Sequence, residues 1–176
     1  ENPSRAKGDA NPVESVSAHA ARLFLLGVNN GLKGEKMALP TEAQWEYACR
    51  AGTGTPFYFG KTLSPEQVNY NGRYVYGDGQ EGVNRGKHVP VGSFPANAWG
   101  VHDMHGNVSE WCADSYDSRY YQVAPVSDPG GPPESATRVI RGGSWEMAPE
   151  GCRSAARVGE HASRNSQGTG FRIVVM

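Results

Sequence analysis

Helical periodicity is confined to the first 52 residues of this 176-residue chain, and that restriction narrows the fold more than any other feature. Residues 13–29, VESVSAHAARLFLLGVN, place apolar side chains three and four apart, with Ser17 as the expected N-cap and Asn29-Asn30-Gly31 as the stop. A second helix is predicted within PTEAQWEYACRAG, residues 40–52. Thr41 would cap it, Gln44 would complete a capping box, and Trp45, Ala48 and Cys49 would share a face until Gly52 ends it. Beyond that point only short apolar runs occur. PFYFG (56–60), HVPVGSF (88–94), RVIRGGSW (138–145) and GFRIVV (170–175) read as strands. Between them lie turn-rich stretches such as NGRYVYGDGQEGVNRGK and APVSDPGGPPESATR. Helices followed by strands imply an α+β fold with a small, irregular sheet. Neither a repeat nor a long linker interrupts the chain, so residues 1–176 are expected to form a single domain. The 23 glycines and 12 prolines fit a loop-rich molecule, while 10% aromatics supply side chains to pack it.

Charge excludes several partner classes. A net charge of −1 without basic runs gives no electrostatic footprint for nucleic acid or an anionic membrane surface. ARLFLLGV is far too short to span a bilayer, so no membrane insertion is expected. The opening ENPSRAKGD lacks a signal-peptide pattern and reads as the interior of a longer sequence. Cys49, Cys112 and Cys152 are odd in number and show no CxxC or zinc spacing, which favours reduced thiols and a cytoplasmic setting.

Three constellations carry chemical potential. In GVHDMHGNVSEWCAD (100–114), Asp103, Gly106, Val108 and Glu110 offer two carboxylates with a glycine turn and carbonyls between them. Such an oxygen set suits calcium; a turn followed by a strand with solvated or hydrogen-bonded carboxylates is the other reading. His102 and His105 lie three apart, but zinc or iron needs more clustered ligands, so packing or surface roles are expected for both. Cys152, followed by Arg153 and Arg157, has cations nearby that lower a thiol pKa. The small residues of CRSAAR instead favour a buried, packed cysteine. No GxSxG elbow, phosphate loop or recognisable Ser-His-Asp set is present. The third group is aromatic: Trp99, Trp111, Trp145 and the run Tyr116, Tyr120, Tyr121, suited either to a binding surface or to a loop-rich core.

Five stretches in order, NPVESVSAHAARLFL, LPTEAQWEYACRAG, PVGSFPANAWGVHDMHGNVSEWCAD, RVIRGGSW and CRSAAR…GFRIV, resemble the formylglycine-generating-enzyme, or sulfatase-modifying-factor, family. The resemblance spans about residues 2–175 and implies a C-type-lectin-like fold with little regular secondary structure, in which the small sheet is antiparallel. It also implies a calcium site made by the Asp103 and Glu110 side chains and the Gly106 and Val108 carbonyls, with Asp103 where the family usually has asparagine. A second site would begin at Asn69 and Tyr70, although the spacing in GDGQEGVNRG departs from the family's. Family members that oxidise a sulfatase cysteine hold copper(I) on two cysteines after the GGS motif. Here Met147 occupies the first position. Counting forward from Ser144 puts Cys152 on the second, whereas counting back from SAAR makes it a different position. Copper is therefore not expected. Relatives also carry a preceding segment of about a third of a domain, and aromatics where this chain has Ala6 and Ala18; a missing segment or partner chain is implied in its place.

Two functions follow from the resemblance. The first is a non-catalytic, calcium-stabilised module binding a protein or small molecule. Some binding members diversify their C-terminal segment within a frame resembling Trp145, Pro149, CRSA, Arg157, Arg164 and GFR. The variable positions would include Glu146, Met147, Ala148, Glu150, Gly151, Ala156, 158–163 and 165–169. The candidate ligand-binding residues are thus Trp145, Glu146, Met147, Glu150, Glu160, His161, Asn165, Gln167, Tyr116 and Tyr120. The alternative is an oxidase or oxygenase acting on a peptide cysteine or a small molecule, with Ser144 and Cys152 as its residues.

Overall fold

The computed structural model describes residues 1–176. Helix α1 runs from Ala18 to Gly31, and the Ser17 hydroxyl accepts from Ala20 N at 3.1 Å. It starts directly after the expected cap, and residues 13–17 anchor the N-terminal stretch. Ser15 is left-handed (φ 58°), and the buried Glu14 carboxylate accepts from Arg5 N at 2.5 Å. Helix α2, Glu42–Arg50, has the expected capping box: the Thr41 hydroxyl accepts from Gln44 N, and the Gln44 side chain accepts from Thr41 N. Ala51 in the left-handed region closes it, immediately before Gly52.

Two small sheets follow. Strands β2 (Ser109–Ser115), β3 (Thr137–Arg141), β4 (Val158–His161) and β5 (Thr169–Gly170) form a four-stranded sheet in the order β4–β3–β2–β5. Strand β1 (Met37–Ala38) pairs with β6 (Val174–Val175) in the second sheet. Three expectations need correction. The larger sheet is mixed, since β5 runs parallel to β2 with Ser109 opposite Thr169. PFYFG makes one bridge between Phe57 and Gly60 and packs its rings without a ladder, and HVPVGSF forms no strand and leaves Val91 exposed. GFRIVV divides between the two sheets.

The core has three parts. One joins Val16, Ala18, Ala21 and Leu25 of the α1 region to Trp111 and Ile140, and the Trp111 indole donates to Val16 O at 2.9 Å. Ala18 is buried within it. A second holds Trp45 and Cys49 of α2 against Met104, Cys112 and Val139. The third groups Phe57, Leu63, Val68, Tyr70 and Cys152.

A buried ion network ties α2 to the sheet. Arg141, 1% exposed, reaches Glu42 at 3.0 Å, the Ser154 carbonyl at 2.5 Å, and Glu46. Arg157 clamps the same Glu42 carboxylate at 2.6 and 2.8 Å. Two guanidiniums on one buried carboxylate offset its desolvation. The outer face of α1 leaves Leu23, Phe24 and Leu26 exposed.

Candidate functional site

The segment before β2 is shaped by close backbone approach. Gly106 is left-handed (φ 73°) and forms a bridge with Asn69; a Cβ there would sit 2.3 Å from Asn69 O, so only glycine fits. Asp103, Val108 and Glu110 line one cavity of about 520 Å³, with His102, Asn107 and Arg172 also on its wall. Gly106 does not line it. The Asp103 carboxyl accepts from Gly92 N at 2.7 Å through Oδ2, while its buried Oδ1 has no partner. Burial raises its pKa above the usual carboxylate value. The Gly106 and Val108 carbonyls accept no hydrogen bond within the chain. Glu110 is already engaged: Arg172 holds both of its oxygens at 2.5 and 2.6 Å, and the Trp45 indole donates at 2.6 Å. An orphaned carboxylate oxygen and two free carbonyls are donors of the kind a hard cation takes, while both Glu110 oxygens are engaged by Arg172. The same orphaning marks Asn69, whose amide donates to Lys87 O and Asn107 Oδ1 while its own buried oxygen has no partner. Tyr70 beside it is fully buried. No three Asp, Glu, His or Cys side chains gather into one group.

The two histidines take the surface and packing roles expected of them, one each. His102 is exposed and hydrogen-bonded to Phe94 O at 2.8 Å. His105 is buried among Phe57, Tyr58 and Phe59. Tyr58 N donates to its Nε2 at 3.1 Å, which leaves Nδ1 to donate to Cys152 O at 2.7 Å. Both ring nitrogens are thus satisfied by the neutral ring, and burial pushes its pKa down to about 4.

All three thiols are free and buried. Cys152 turns into the core against Phe57, Leu63, Val68 and Tyr70, and burial pushes its pKa up to about 12. The arginines following it serve other partners: Arg153 bonds Glu150 O, and Arg157 bonds Glu42. Cys49, beside Ser154 and His105, is also pushed up to about 12 by burial.

A second cavity, about 180 Å³, opens at the sheet end where β2 meets β5. It gathers Ser144, Glu146, Met147 and Glu160 of the sequence-predicted set. Ser109, Thr169, Val158 and Arg164 also line it. Ser109 belongs to none of the sequence's candidate groups, because its place on the cavity depends on the pairing with Thr169 sixty positions away. The other candidates lie outside the cavity lining. The Trp145 indole, half-buried, points to Gln167 O at 3.5 Å. Glu150, His161, Asn165 and Gln167 are exposed, and the Gln167 amide faces the Arg5 guanidinium. Tyr116 packs under Arg157 and against Gly159, and the Tyr120 hydroxyl accepts from Gly131 N at 3.0 Å.

The family model described as "Sulfatase-modifying factor enzyme 1-like domain" matches residues 1–176. The chain belongs to that family. The formylglycine-generating enzyme of Streptomyces coelicolor is 38% identical over 142 residues, covering 76% of this chain and 45% of that protein. The serine/threonine-protein kinase pkn1 of Chlamydia caviae is 34% identical over 142 residues, 76% of this chain and 20% of its own length. The chain therefore spans less than half of these curated relatives. Among solved structures, PvdO from Pseudomonas aeruginosa superposes with a TM-score of 0.79 at 31% identity, over 96% of this chain and 63% of that one. Treponema denticola variable protein 1 gives 0.79 at 23% identity, over 98% and 77%. The fold is that of formylglycine-generating-enzyme-like domains, C-type-lectin-like and α+β.

Proposed function

We propose that this family member is a non-catalytic, calcium-stabilised binding module whose ligand surface is the cavity around Ser144, Glu146 and Met147. The observation that carries the reading is the orientation of Cys152. The cavity after the GGS motif presents a thioether, Met147, while Cys152 packs away from it in an aromatic and aliphatic core. A thiol held near pKa 12 supplies almost no thiolate at neutral pH, and thiolate is the reactive and metal-binding form. Oxygen uptake on a cysteine-containing peptide, with and without copper(I), tests this. No turnover is expected; turnover abolished by Cys152→Ser would overturn the proposal in favour of an oxidase.

Calcium would be held by Asp103 and Glu110 with the Gly106 and Val108 carbonyls, and would contribute stability by binding the native state alone. The orphaned Asp103 Oδ1 supports this. Chelation should lower the melting temperature, and Asp103→Ala should remove that response; an identical melt with and without chelator would refute the site.

A further inference from the structure

The cavity proposed as the ligand surface has a chemistry that selects among ligands. Ser144 is 2% exposed and Thr169 8%, yet neither hydroxyl makes a hydrogen bond within the chain, although both line the cavity. The Ser109 hydroxyl has only a 3.9 Å contact to the Met147 sulfur. Both hydroxyls open onto the cavity with no partner from the protein, so an atom of a ligand entering it can bond to them. At the rim, Glu146 is exposed and has neither an ion pair nor a hydrogen bond. It converges with Ser144 over Gly168: a Cβ on that glycine would stand 2.7 Å from Glu146 Oε1 and 2.9 Å from Ser144 Oγ. The glycine keeps this corner open. The other charged groups on the wall, Glu160 and Arg164, face each other at 3.5 Å, leaving Glu146 unneutralised. Trp111, Met147, Ile140 and Val158 supply the apolar part of the wall.

We propose that this cavity binds a primary ammonium group on a short apolar stem, the chemistry of a lysine side chain or a small alkylamine; the assignment rests on the binding-module reading of the same cavity. An ammonium has three donors and no acceptor, matching one carboxylate and two idle hydroxyls. An anion would meet the unpaired Glu146, and a neutral alcohol would leave that charge without a partner. The volume, about 180 Å³, equals roughly six water-sized volumes at about 30 Å³ each, enough for a four-carbon stem and its nitrogen. The methylenes would lie along Met147 and Val158 while the charged end reaches the polar corner.

The test is a titration of the 15N-labelled full chain, followed by amide shifts, with n-butylamine and Nα-acetyl-lysine methylamide against n-butanol and butyrate. The amines are expected to shift residues 109, 144–147 and 168–169, and butyrate to leave them unmoved. Glu146→Gln should weaken the amines about tenfold, and Val158→Trp, which fills the mouth from the exposed edge of β4, should abolish their binding. Both substituted side chains are exposed, and each variant's fold is checked by its own spectrum. If butanol or butyrate binds as well as the amines, or if Glu146→Gln changes nothing, the ammonium assignment is overturned while the cavity remains a binding site. If no member of the panel moves those residues, the ammonium assignment is overturned and the cavity itself loses support. Turnover in the oxygen-uptake assay is a separate readout, and would overturn the non-catalytic reading alone.

Discussion

Acid should destabilise this protein through His105. The neutral ring is held by an incoming bond from Tyr58 N and an outgoing bond to Cys152 O, inside a shell of three aromatic rings. Its pKa falls to about 4 from an ordinary value of 6.5. The unfolded chain therefore takes up a proton near pH 6.5 that the folded one refuses until about pH 4. Stability from this group is complete above pH 6.5, declines as the pH falls towards 4, and declines no further below it. Each pH unit in that window is worth about 1.4 kcal/mol, hence about 3 kcal/mol in all. Asp103 and Asp114 act with the opposite sign, because burial raises their pKa values and the folded state then holds extra protons in acid. The contribution of His105 is isolated by comparing the wild type with His105→Gln, whose amide can still accept from Tyr58 N and donate to Cys152 O. Urea titrations between pH 4.5 and 8, followed by tryptophan fluorescence, should show the wild type losing about 2–3 kcal/mol more than the variant on acidification. Parallel pH curves for the two proteins, or a native His105 ring resonance titrating near 6.5, would refute the reasoning.

Two further perturbations test the interior. Glu42→Gln leaves Arg141 and Arg157 facing a neutral amide, and should cost about 3–5 kcal/mol in chemical denaturation; a loss under 1 kcal/mol would mean that the network rearranges. Native protein should leave all three thiols unreactive towards a disulfide reagent such as dithionitrobenzoate, then release three equivalents in denaturant; fast modification of Cys152 in native protein would contradict its burial.

Local chemistry was legible in the sequence where neighbours along the chain decide it. The Thr41–Gln44 capping box and the Ser17 cap form as their spacing predicts, because each bond closes within three residues. Strand pairing was not legible, because it is decided by distant partners. PFYFG has the composition of a strand, but its rings are spent packing on His105 and Tyr76 rather than lying along a ladder. The parallel β2–β5 contact leaves no local mark on either segment. Glu42 sits at the start of an exposed-looking helix, and nothing beside it signals that two arginines about 100 residues on will bury it. At the candidate sites, Asp103 and Glu110 could be paired on one cavity from their spacing. Arg172 as the third party, and Ser109 as a wall of the second cavity, required the fold.

The position of residues 169–175 bears on when this protein can fold during its synthesis. Thr169–Gly170 completes the larger sheet against β2, and Val174–Val175 pairs with Met37–Ala38 to complete the smaller one. A ribosome making the chain has released both helices and three strands of the larger sheet before either sheet can close. Most of the cluster around Leu39 and Trp111 is then already made, but Phe171, which packs against it, joins only when this segment emerges. Such distant pairings are slow to find. A stall or a nick between β4 and β5 would remove the edge strand of the larger sheet and one of the two strands of the smaller, and with them one wall of the cavity where β2 meets β5.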